Sequence, residues 1–351
     1  MNATLKQVAL PVLVRVKPGA LDRVGIYAQR HGFRRVVVLH PPDLPAPLLT
    51  RLDTALAGSS IEVKQKLGVE QASFEQAQAI FRKLPGAVDA IVGLGGGKTL
   101  DVAKYVSFLG RLPYLAVPTS LSNDGFCSPQ SSLTIDGKRR SLPAAIPFGI
   151  VLDTAVCLAA PEILWMSGVG DLSAKFTAVI DWKLAFHARG TPVDDFAALL
   201  SDSTVYQFIA RPARDTEGVK LLGTALMLNG VAMAICGSSR PASGSEHLIS
   251  HALDAISQRP RLHGLQVGVA SYLVSRLQNR NSGEIARLFE ATGFWRTVAA
   301  DPFSRAEWLE AVRVAPTIKE DFYTILSARD CVTEVAEMLR SDILLRGCFI
   351  E

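Results

Sequence analysis

AIVGLGGGKTLDVAK, residues 90–104, joins a short apolar run to a helical pattern through three consecutive glycines. The apolar run is typical of a parallel strand that is covered on both faces. Glycines let backbone amides approach a diphosphate closely, and the N-terminus of the following helix adds a favourable positive potential. The stretch therefore predicts a phosphate cradle, with candidate cofactor-binding residues Gly95, Gly96, Gly97, Lys98 and Thr99.

Two familiar phosphate-binding motifs do not match this glycine turn. It lacks the Gly-x-Gly-x-x-Gly spacing, and it is no P-loop because Val92 stands where the first glycine of that motif must be. A tight strand-to-helix turn without a ligand is the alternative interpretation. Three glycines in succession favour the cradle.

Further β-branched runs flank this stretch and alternate with helical patterns, at residues 35–39, 114–117 and 150–152. This alternation predicts an α/β fold with a Rossmann-like open parallel sheet. Beyond residue 160 the β-rich runs fade, and helical spacing dominates residues 172–188, 219–234 and 264–277. Pro161-Glu162 offers a helix start, so we expect an α/β domain over residues 1–160 and an all-α domain over residues 161–351.

Length and composition set broad limits on the class of protein. At 351 residues the chain exceeds the usual size of one domain. No apolar run reaches the roughly 18–20 residues that a membrane helix needs. Residues 1–7 lead into a short apolar patch without a small-residue cleavage site, which argues against a secretory signal. We therefore expect a cytoplasmic protein with no membrane insertion.

Cysteine usage and charge exclude further classes. The five cysteines are scattered without a Cys-x-x-Cys pair, so neither a disulfide framework nor a thiolate zinc site is indicated. The net charge of +4 forms no basic block, which argues against a nucleic-acid partner. It is compatible with an anionic small substrate.

A polar loop follows the run at residues 114–117. Residues 118–129 read PTSLSNDGFCSP, and their hydroxyls and amides suit hydrogen bonds to a ribose, a diphosphate or a carboxamide. Asp124 suits a substrate hydroxyl. Ligands of open α/β sheets bind beyond the carboxyl ends of strands, which favours function over an ordinary turn-rich loop. Farther on, Asp136-Gly137-Lys138 predicts a hairpin turn.

Ligand-type side chains cluster in the second half. We expect Asp171 at the start of a helix that begins at Leu172, while His247 and His251, four residues apart, share one helix face. His263 follows where a loop enters the next helix. Imidazoles with one carboxylate suit zinc or a similar ion, and three ligands leave a position open for substrate. The alternative is a histidine pair on a surface or in a core, which is the commoner situation at this spacing.

Together these stretches resemble the sn-glycerol-1-phosphate dehydrogenase family, within the iron-containing alcohol dehydrogenase and dehydroquinate synthase-like superfamily. The resemblance covers residues 90–270 and is most specific in the order of His247, His251 and His263 after Gly170-Asp171. The other matching stretches are residues 95–104, 118–129, 181–185, 239–247 and 263–264.

The resemblance implies a dehydroquinate synthase-like fold with NAD or NADP between a nucleotide-binding domain and a metal-bearing helical domain. It implies that Asp171, His247 and His263 bind one divalent metal, Zn²⁺ or else Ni²⁺ or Fe²⁺, and that Asp124 and His251 face the substrate. Asp171, His251 and Asp124 are accordingly the expected catalytic residues. Further cofactor contacts are implied for Thr119, Ser120, Leu121, Ser122 and Ser128.

The implied reaction is hydride transfer between NAD(P)H and dihydroxyacetone phosphate, giving sn-glycerol 1-phosphate, by an enzyme that we expect to be a homo-oligomer. Arg240 is a candidate for the substrate phosphate, with a solvated surface arginine as the alternative. Rival functions are a dehydrogenase of glycerol or another polyol, and a dehydroquinate synthase-like lyase or cyclase, against which Asp171 counts. A non-catalytic binding protein is a third. The sequence does not distinguish NAD from NADP. Dinucleotide folds often place an acidic ribose partner at the end of such a strand, and Asp43 follows residues 35–39 at an uncertain distance for this contact.

Overall fold

The computed structural model describes residues 8–351, and the prediction about a leader in residues 1–7 lies outside these described residues. Eight strands occupy the first half of the chain. They are β1 (Leu13–Lys17), β2 (Arg35–His40), β3 (Glu62–Gly68), β4 (Ala90–Gly95), β5 (Tyr114–Pro118), β6 (Gln130–Ile135), β7 (Lys138–Pro143) and β8 (Gly149–Asp153). Six of them form a parallel sheet in the order β1-β8-β5-β4-β2-β3.

Four helices lie between these strands, and helices dominate the chain from residue 154 onward. The first four are α1 (Val24–Arg30), α2 (Ala46–Ala57), α3 (Phe74–Arg82) and α4 (Gly97–Gly110). The others are α5 (Thr154–Ala159), α6 (Glu162–Ser173), α7 (Lys175–Arg189), α8 (Asp195–Ile209), α9 (Thr216–Cys236), α10 (Ser245–Ile256), α11 (His263–Leu277), α12 (Ser282–Thr292), α13 (Phe294–Ala299), α14 (Arg305–Val314), α15 (Ile325–Ala328) and α16 (Val332–Ser341). Short strands β9 (Phe303–Ser304) and β10 (Phe349–Ile350) pair with each other, and 3₁₀ turns lie at Leu21–Arg23, Asp124–Cys127 and Ala315–Thr317.

The sheet has an apolar core on each face, because side chains alternate along a strand. In β2, Val36 and Val38 join a cluster with α1 and α2, whereas Val37 and Leu39 join a cluster with α3 and α4. This second cluster continues into the helices that follow residue 154. The α/β class with an open parallel sheet and a helical C-terminal part is therefore confirmed.

The sheet order changes direction between β2 and β4. From β2 the chain passes outward to the edge strand β3, then returns to place β4 on the other side of β2. Loops that leave such a switch point diverge and open a crevice at the carboxyl ends of the strands. Here the glycine turn after β4 meets the loop after β2, since a Cβ on Gly95 would lie 2.9 Å from Cδ of Pro41.

The predicted hairpin is present and lies beside the helices. Asp136 and Gly137 have φ angles of 49° and 73°, the positive values that a tight two-residue hairpin turn requires. The hairpin strand β6 packs against α4, and β7 packs against α10. The hairpin thus links the glycine-turn helix to the helix that carries two of the histidines.

Two stretches, Glu162–Arg189 and Thr216–Cys236, are long and apolar enough to cross a membrane by length and composition alone. The expectation that no stretch reaches this length is therefore corrected. Most of each apolar window lies inside the protein, 83% and 56% respectively, and core helices of water-soluble proteins pass the same test. The burial of these two stretches favours helices of a protein core over membrane-spanning helices.

Candidate active site

Three helices bring Asp171, His247 and His263 together. α6 supplies Asp171, α10 supplies His247, and His263 is the first residue of α11. Nε2 of each histidine lies 3.6 Å from Oδ1 of Asp171, and the three ligand-type atoms lie within 4.8 Å of one another. Ligands of one tetrahedral ion at about 2.0–2.2 Å lie roughly 3.3–3.6 Å apart, so the two carboxylate–imidazole distances suit a single cation.

Glycines permit the close crossing of α6 and α11 that makes this convergence possible. A Cβ on Gly264 would lie 1.8 Å from the backbone oxygen of Ser167, and one on Gly170 would lie 2.0 Å from the backbone oxygen of Gly264. Neither distance is possible for a real side chain. The two backbones therefore touch, which sets the distance between Asp171 and His263.

The prediction that Asp171 starts a helix at Leu172 is wrong. Asp171 lies in the last turn of α6, and the next helix, α7, begins at Lys175. Gly168 and Gly170 resemble helix breakers in the sequence, but both lie within α6 because other backbones occupy the space of their missing side chains. Tertiary packing outweighs the low helix propensity of glycine at both positions.

Buried polar groups fix the orientation of both histidines. Nδ1 of His247 lies 3.0 Å from Oε1 of Glu246, a fully buried carboxylate that also accepts a hydrogen bond from Oγ1 of Thr177. Nδ1 of His263 lies 3.0 Å from Oγ of Ser250. Both rings therefore turn Nε2 toward Asp171. Sequence reasoning missed Glu246 and Ser250, although a glutamate next to a candidate ligand in an apolar helix was a usable signal.

The protonation states of the cluster follow from burial and from its charges. Burial would raise the pKa of Asp171, but Lys175 and His247 outweigh it and hold the pKa well below its usual range. Burial would lower the pKa of His247, but Asp171 and Glu246 outweigh it and raise the pKa to about 9. Burial and the nearby His247 charge lower the pKa of His263. The site thus holds an ionised carboxylate and excess negative potential around His247.

Asp124 is tied to the cluster through its backbone and its side chain. Its amide donates to Oδ2 of Asp171 at 3.0 Å, and its Oδ2 accepts from Nζ of Lys175 at 3.2 Å. Burial and the charge of Asp171 raise the pKa of Asp124. Lys175 is fully buried and also donates to the backbone oxygen of Ala242 at 3.0 Å. The sequence analysis did not single out Lys175.

His251 lies beside the cluster but outside its ligand set. Its ring stacks on that of His263 with centroids 5.6 Å apart, while 6.4 Å separates its centroid from that of His247. His251 therefore adjoins the space in front of the three ligand-type atoms.

The predicted cofactor residues divide into open and buried positions. A Cβ on Gly96 or Gly97 would meet no protein atom closer than 3.5 Å, so the backbone of the turn is open to a ligand. Gly96 caps α4 without a side-chain hydrogen bond, which leaves first-turn amides available to a ligand. The exposed or half-buried members are Lys98, Thr119 and Ser122, and the buried ones are Thr99, Ser120, Leu121 and Ser128.

Arg240 has a different environment from either sequence interpretation. It is buried, with its guanidinium 3.7 Å above the ring of Phe322. Its terminal nitrogens donate to the backbone oxygens of Tyr323 at 2.7 Å and Asp321 at 3.2 Å. These bonds use two of the five N–H donors of Arg240 and hold its guanidinium against the segment at residues 321–323, so Arg240 is not a solvated surface arginine.

Comparisons with known proteins show which family the chain resembles. Residues 15–161 match the family model for iron-containing alcohol dehydrogenase. A curated glycerol-1-phosphate dehydrogenase (NAD(P)+) of Aeropyrum pernix is 36% identical, covering 97% of this chain and 98% of the relative. The protein of the same name from Methanothermobacter thermautotrophicus is 34% identical, covering 95% and 97%.

Solved structures show the same fold. Glycerol dehydrogenase of Schizosaccharomyces pombe superposes with a TM-score of 0.77 at 18% identity, covering 99% of this chain and 92% of that one. Sulfoacetaldehyde reductase of Bifidobacterium kashiwanohense in complex with NAD+ superposes with a TM-score of 0.72 at 18% identity, covering 97% and 100%. Fold and site together thus define the class of iron-containing alcohol dehydrogenase-like proteins. Within that class, the identity over nearly the full length shows that the chain belongs to the glycerol-1-phosphate dehydrogenase family.

Proposed function

We propose that this protein is a metal-dependent dehydrogenase that uses NAD or NADP to interconvert dihydroxyacetone phosphate and sn-glycerol 1-phosphate. The observation that carries the proposal is the cluster of Asp171, His247 and His263 in a chain that aligns over 97% of its length with a curated glycerol-1-phosphate dehydrogenase. The name of that relative includes NAD(P)+, which supports a nicotinamide cofactor here without choosing between NAD and NADP.

The donor set fits one divalent cation. Two imidazole nitrogens and one carboxylate oxygen suit Zn²⁺ best and also accept Ni²⁺ or Fe²⁺, and three protein ligands leave a position open for substrate. Asp171, His247 and His263 would hold the cation. A bound cation would supply Lewis acidity toward the carbonyl oxygen of the substrate.

The glycine turn fits the diphosphate of a dinucleotide. Gly96 and Gly97 leave room for a phosphate at the N-terminus of α4, beside the crevice between β2 and β4. We place the diphosphate on residues 95–99. Thr119, Ser120 and Ser122 would add side-chain contacts, whereas Leu121 is packed in the core and would contribute its backbone. Ser128 donates to the backbone oxygen of Gln130 and would act through the loop that it holds.

Two further residues would act on the substrate. The carboxylate of Asp124 would accept a hydrogen bond from a substrate hydroxyl, and Lys175 would keep that carboxylate in place. His251 would orient a hydroxyl or relay a proton beside the ligand cluster. Asp171 would both hold the cation and, through the amide of Asp124, position that loop.

Initial rates of NAD(P)H oxidation by the metal-replete protein test the proposal. We expect turnover of dihydroxyacetone phosphate at a kcat/KM far above that of unphosphorylated dihydroxyacetone. Turnover of an unphosphorylated ketone or polyol, with none of dihydroxyacetone phosphate, would refute it. Rates with NADH and NADPH in the same assay decide the cofactor preference.

The remaining expectations are proposals of the same kind. We propose a division into a nucleotide-binding domain at residues 1–160 and a helical metal and substrate domain at residues 161–351. We also propose a cytoplasmic location and a homo-oligomer. Limited proteolysis, cell fractionation and light scattering test these three statements.

A further inference from the structure

Two exposed cations, Arg139 and Lys319, lie on, or just after, elements that pack against α10. Arg139 belongs to β7, and Lys319 follows the 3₁₀ turn Ala315–Thr317; both elements contact the helix that carries His251. The two residues therefore lie near α10 and come from separate parts of the chain.

Neither cation has an acidic partner. Within residues 8–351, Arg139 and Lys319 form no ion pair. Nε of Arg139 donates to Oγ of Ser132 at 2.6 Å, and Nζ of Lys319 donates to Oγ of Ser239 at 3.3 Å. These bonds to neutral hydroxyls leave the remaining donors of both groups available.

Two carboxylates are within electrostatic reach of Arg139 but form no ion pair with it. They are Asp101, which is buried, and Asp254, which is half-buried. Asp101 lies 3.4 Å from Nζ of Lys104, and Oδ1 of Asp254 accepts from Nε2 of Gln266 at 3.0 Å, whereas Oδ2 of Asp254 has no hydrogen-bond partner among the described residues. Burial raises the pKa of both carboxylates, so they balance the positive charge of Arg139 only in part.

Both charges reach the space around His251. β7 and the 3₁₀ turn Ala315–Thr317 both pack on α10, the helix that carries His251, so the charges of Arg139 and Lys319 lie close to that helix. The two cations therefore raise the electrostatic potential at the mouth of the site.

Arg240 makes the environment of Lys319 more positive still. The ring of Phe322 contacts both cations, at 3.7 Å from Arg240 and 4.2 Å from Lys319. Burial and then the charge of Arg240 lower the pKa of Lys319. An anion beside Lys319 would relieve this repulsion, and Arg240 would hold the segment that presents Lys319.

We propose that Arg139 and Lys319 form the subsite for the phosphate group of a small phosphomonoester substrate. The inference rests on the proposed function, because only one carbon and one oxygen separate the carbonyl carbon from the phosphorus of dihydroxyacetone phosphate. The phosphate must then lie close to the ligand cluster, on the side of His251. A guanidinium and an ammonium from separate elements suit its several oxygens.

Calorimetric titration of inorganic phosphate into the metal-replete protein tests the subsite directly. We expect about 10- to 100-fold weaker binding in Arg139→Ala and in Lys319→Ala, because each loses a charged hydrogen bond. Arg140→Ala is the matched control: this exposed neighbour on β7 points to the opposite face of the hairpin and should bind phosphate like the wild type. Equal phosphate binding by the wild type, R139A and K319A would overturn the proposal.

Kinetics then link the subsite to the substrate. In R139A and K319A we expect kcat/KM for dihydroxyacetone phosphate to fall about 10- to 100-fold, while kcat/KM for unphosphorylated dihydroxyacetone stays unchanged. Equal losses with both ketones would contradict a phosphate-specific role. If the wild type ignores dihydroxyacetone phosphate but its phosphate binding still depends on Arg139 and Lys319, the proposed function fails and the anion subsite stands.

Discussion

Gly264→Ala is the substitution for which the structure gives the sharpest expectation. The new Cβ would lie 1.8 Å from the backbone oxygen of Ser167. Non-bonded carbon and oxygen atoms stay about 3 Å or more apart, so α6 and α11 must separate by roughly 1.2 Å. No side-chain rotation relieves this contact, because the obstructing atom belongs to the backbone of α6.

The separation acts on both stability and the ligand cluster. Overpacking against a backbone costs roughly 1–3 kcal/mol or more of the free energy of unfolding. Asp171 and His263 sit on the two separating helices, and a metal site tolerates ligand displacements of only about 0.2 Å. We therefore expect Gly264→Ala to lose stability and to bind Zn²⁺ at least about 100-fold more weakly.

Urea denaturation measures the first effect, and competition with a chelating dye measures the second. Gly283→Ala is the control, since its Cβ would lie in α12 with no atom nearer than 3.9 Å. That variant should bind Zn²⁺ like the wild type and should be unchanged or stabilised by up to about 1 kcal/mol. Wild-type metal affinity in Gly264→Ala would refute the reasoning.

Three further predictions follow from the site and its surroundings. Glu246→Gln should weaken Zn²⁺ binding about 10- to 100-fold in the dye assay, because Nδ1 of His247 loses its carboxylate partner; unchanged affinity would contradict this role. Burial and Glu246 raise the pKa of Asp181 to about 6, so the folded state holds a proton that the unfolded chain releases near pH 4. The free energy of unfolding should therefore fall by roughly 3 kcal/mol as pH rises from about 3 to 7, relative to Asp181→Asn, and parallel urea-denaturation profiles of the two proteins would refute it. Gly96→Ala should keep wild-type stability, since its Cβ would meet no protein atom within 3.5 Å. It should weaken NAD(P)H binding about tenfold or more in a fluorescence titration, because the Cβ would fill space left for a diphosphate. Equal cofactor affinity would count against the cradle.

Local signals were sufficient for the elements that depend on local chemistry. The run at residues 90–94, the glycine turn and the start of α4 follow from strand and helix rules. The hairpin turn at Asp136 and Gly137 follows from the positive φ angles that these residues accept. The strand β3 was missed because it is an edge strand whose side chains alternate between exposed and half-buried positions, with lysines where an apolar run would be expected.

The candidate site depends on tertiary contacts that sequence spacing does not contain. His247 and His251 could be placed on one helix face, but only the crossing of α6 and α11 brings Asp171 to His263. Gly168 and Gly170 were misleading for a similar reason: Gly170 lacks a side chain where α11 crosses, and Gly168 lacks one where the backbone of Leu121 approaches. Arg240 resembled a free guanidinium in the sequence, yet two backbone carbonyls of a distant segment accept its hydrogen bonds.

The most direct test of the account is the metal content of purified variants, measured by plasma mass spectrometry after loading with Zn²⁺ and removal of free ion. We expect one Zn²⁺ per chain in the wild type and in His251→Ala, whose ring lies outside the ligand set. Asp171→Ala, His247→Ala and His263→Ala should each retain less than about a tenth of that amount, because two ligands hold Zn²⁺ far more weakly than three. Full metal content in any of these three variants, or its loss in His251→Ala alone, would contradict the site.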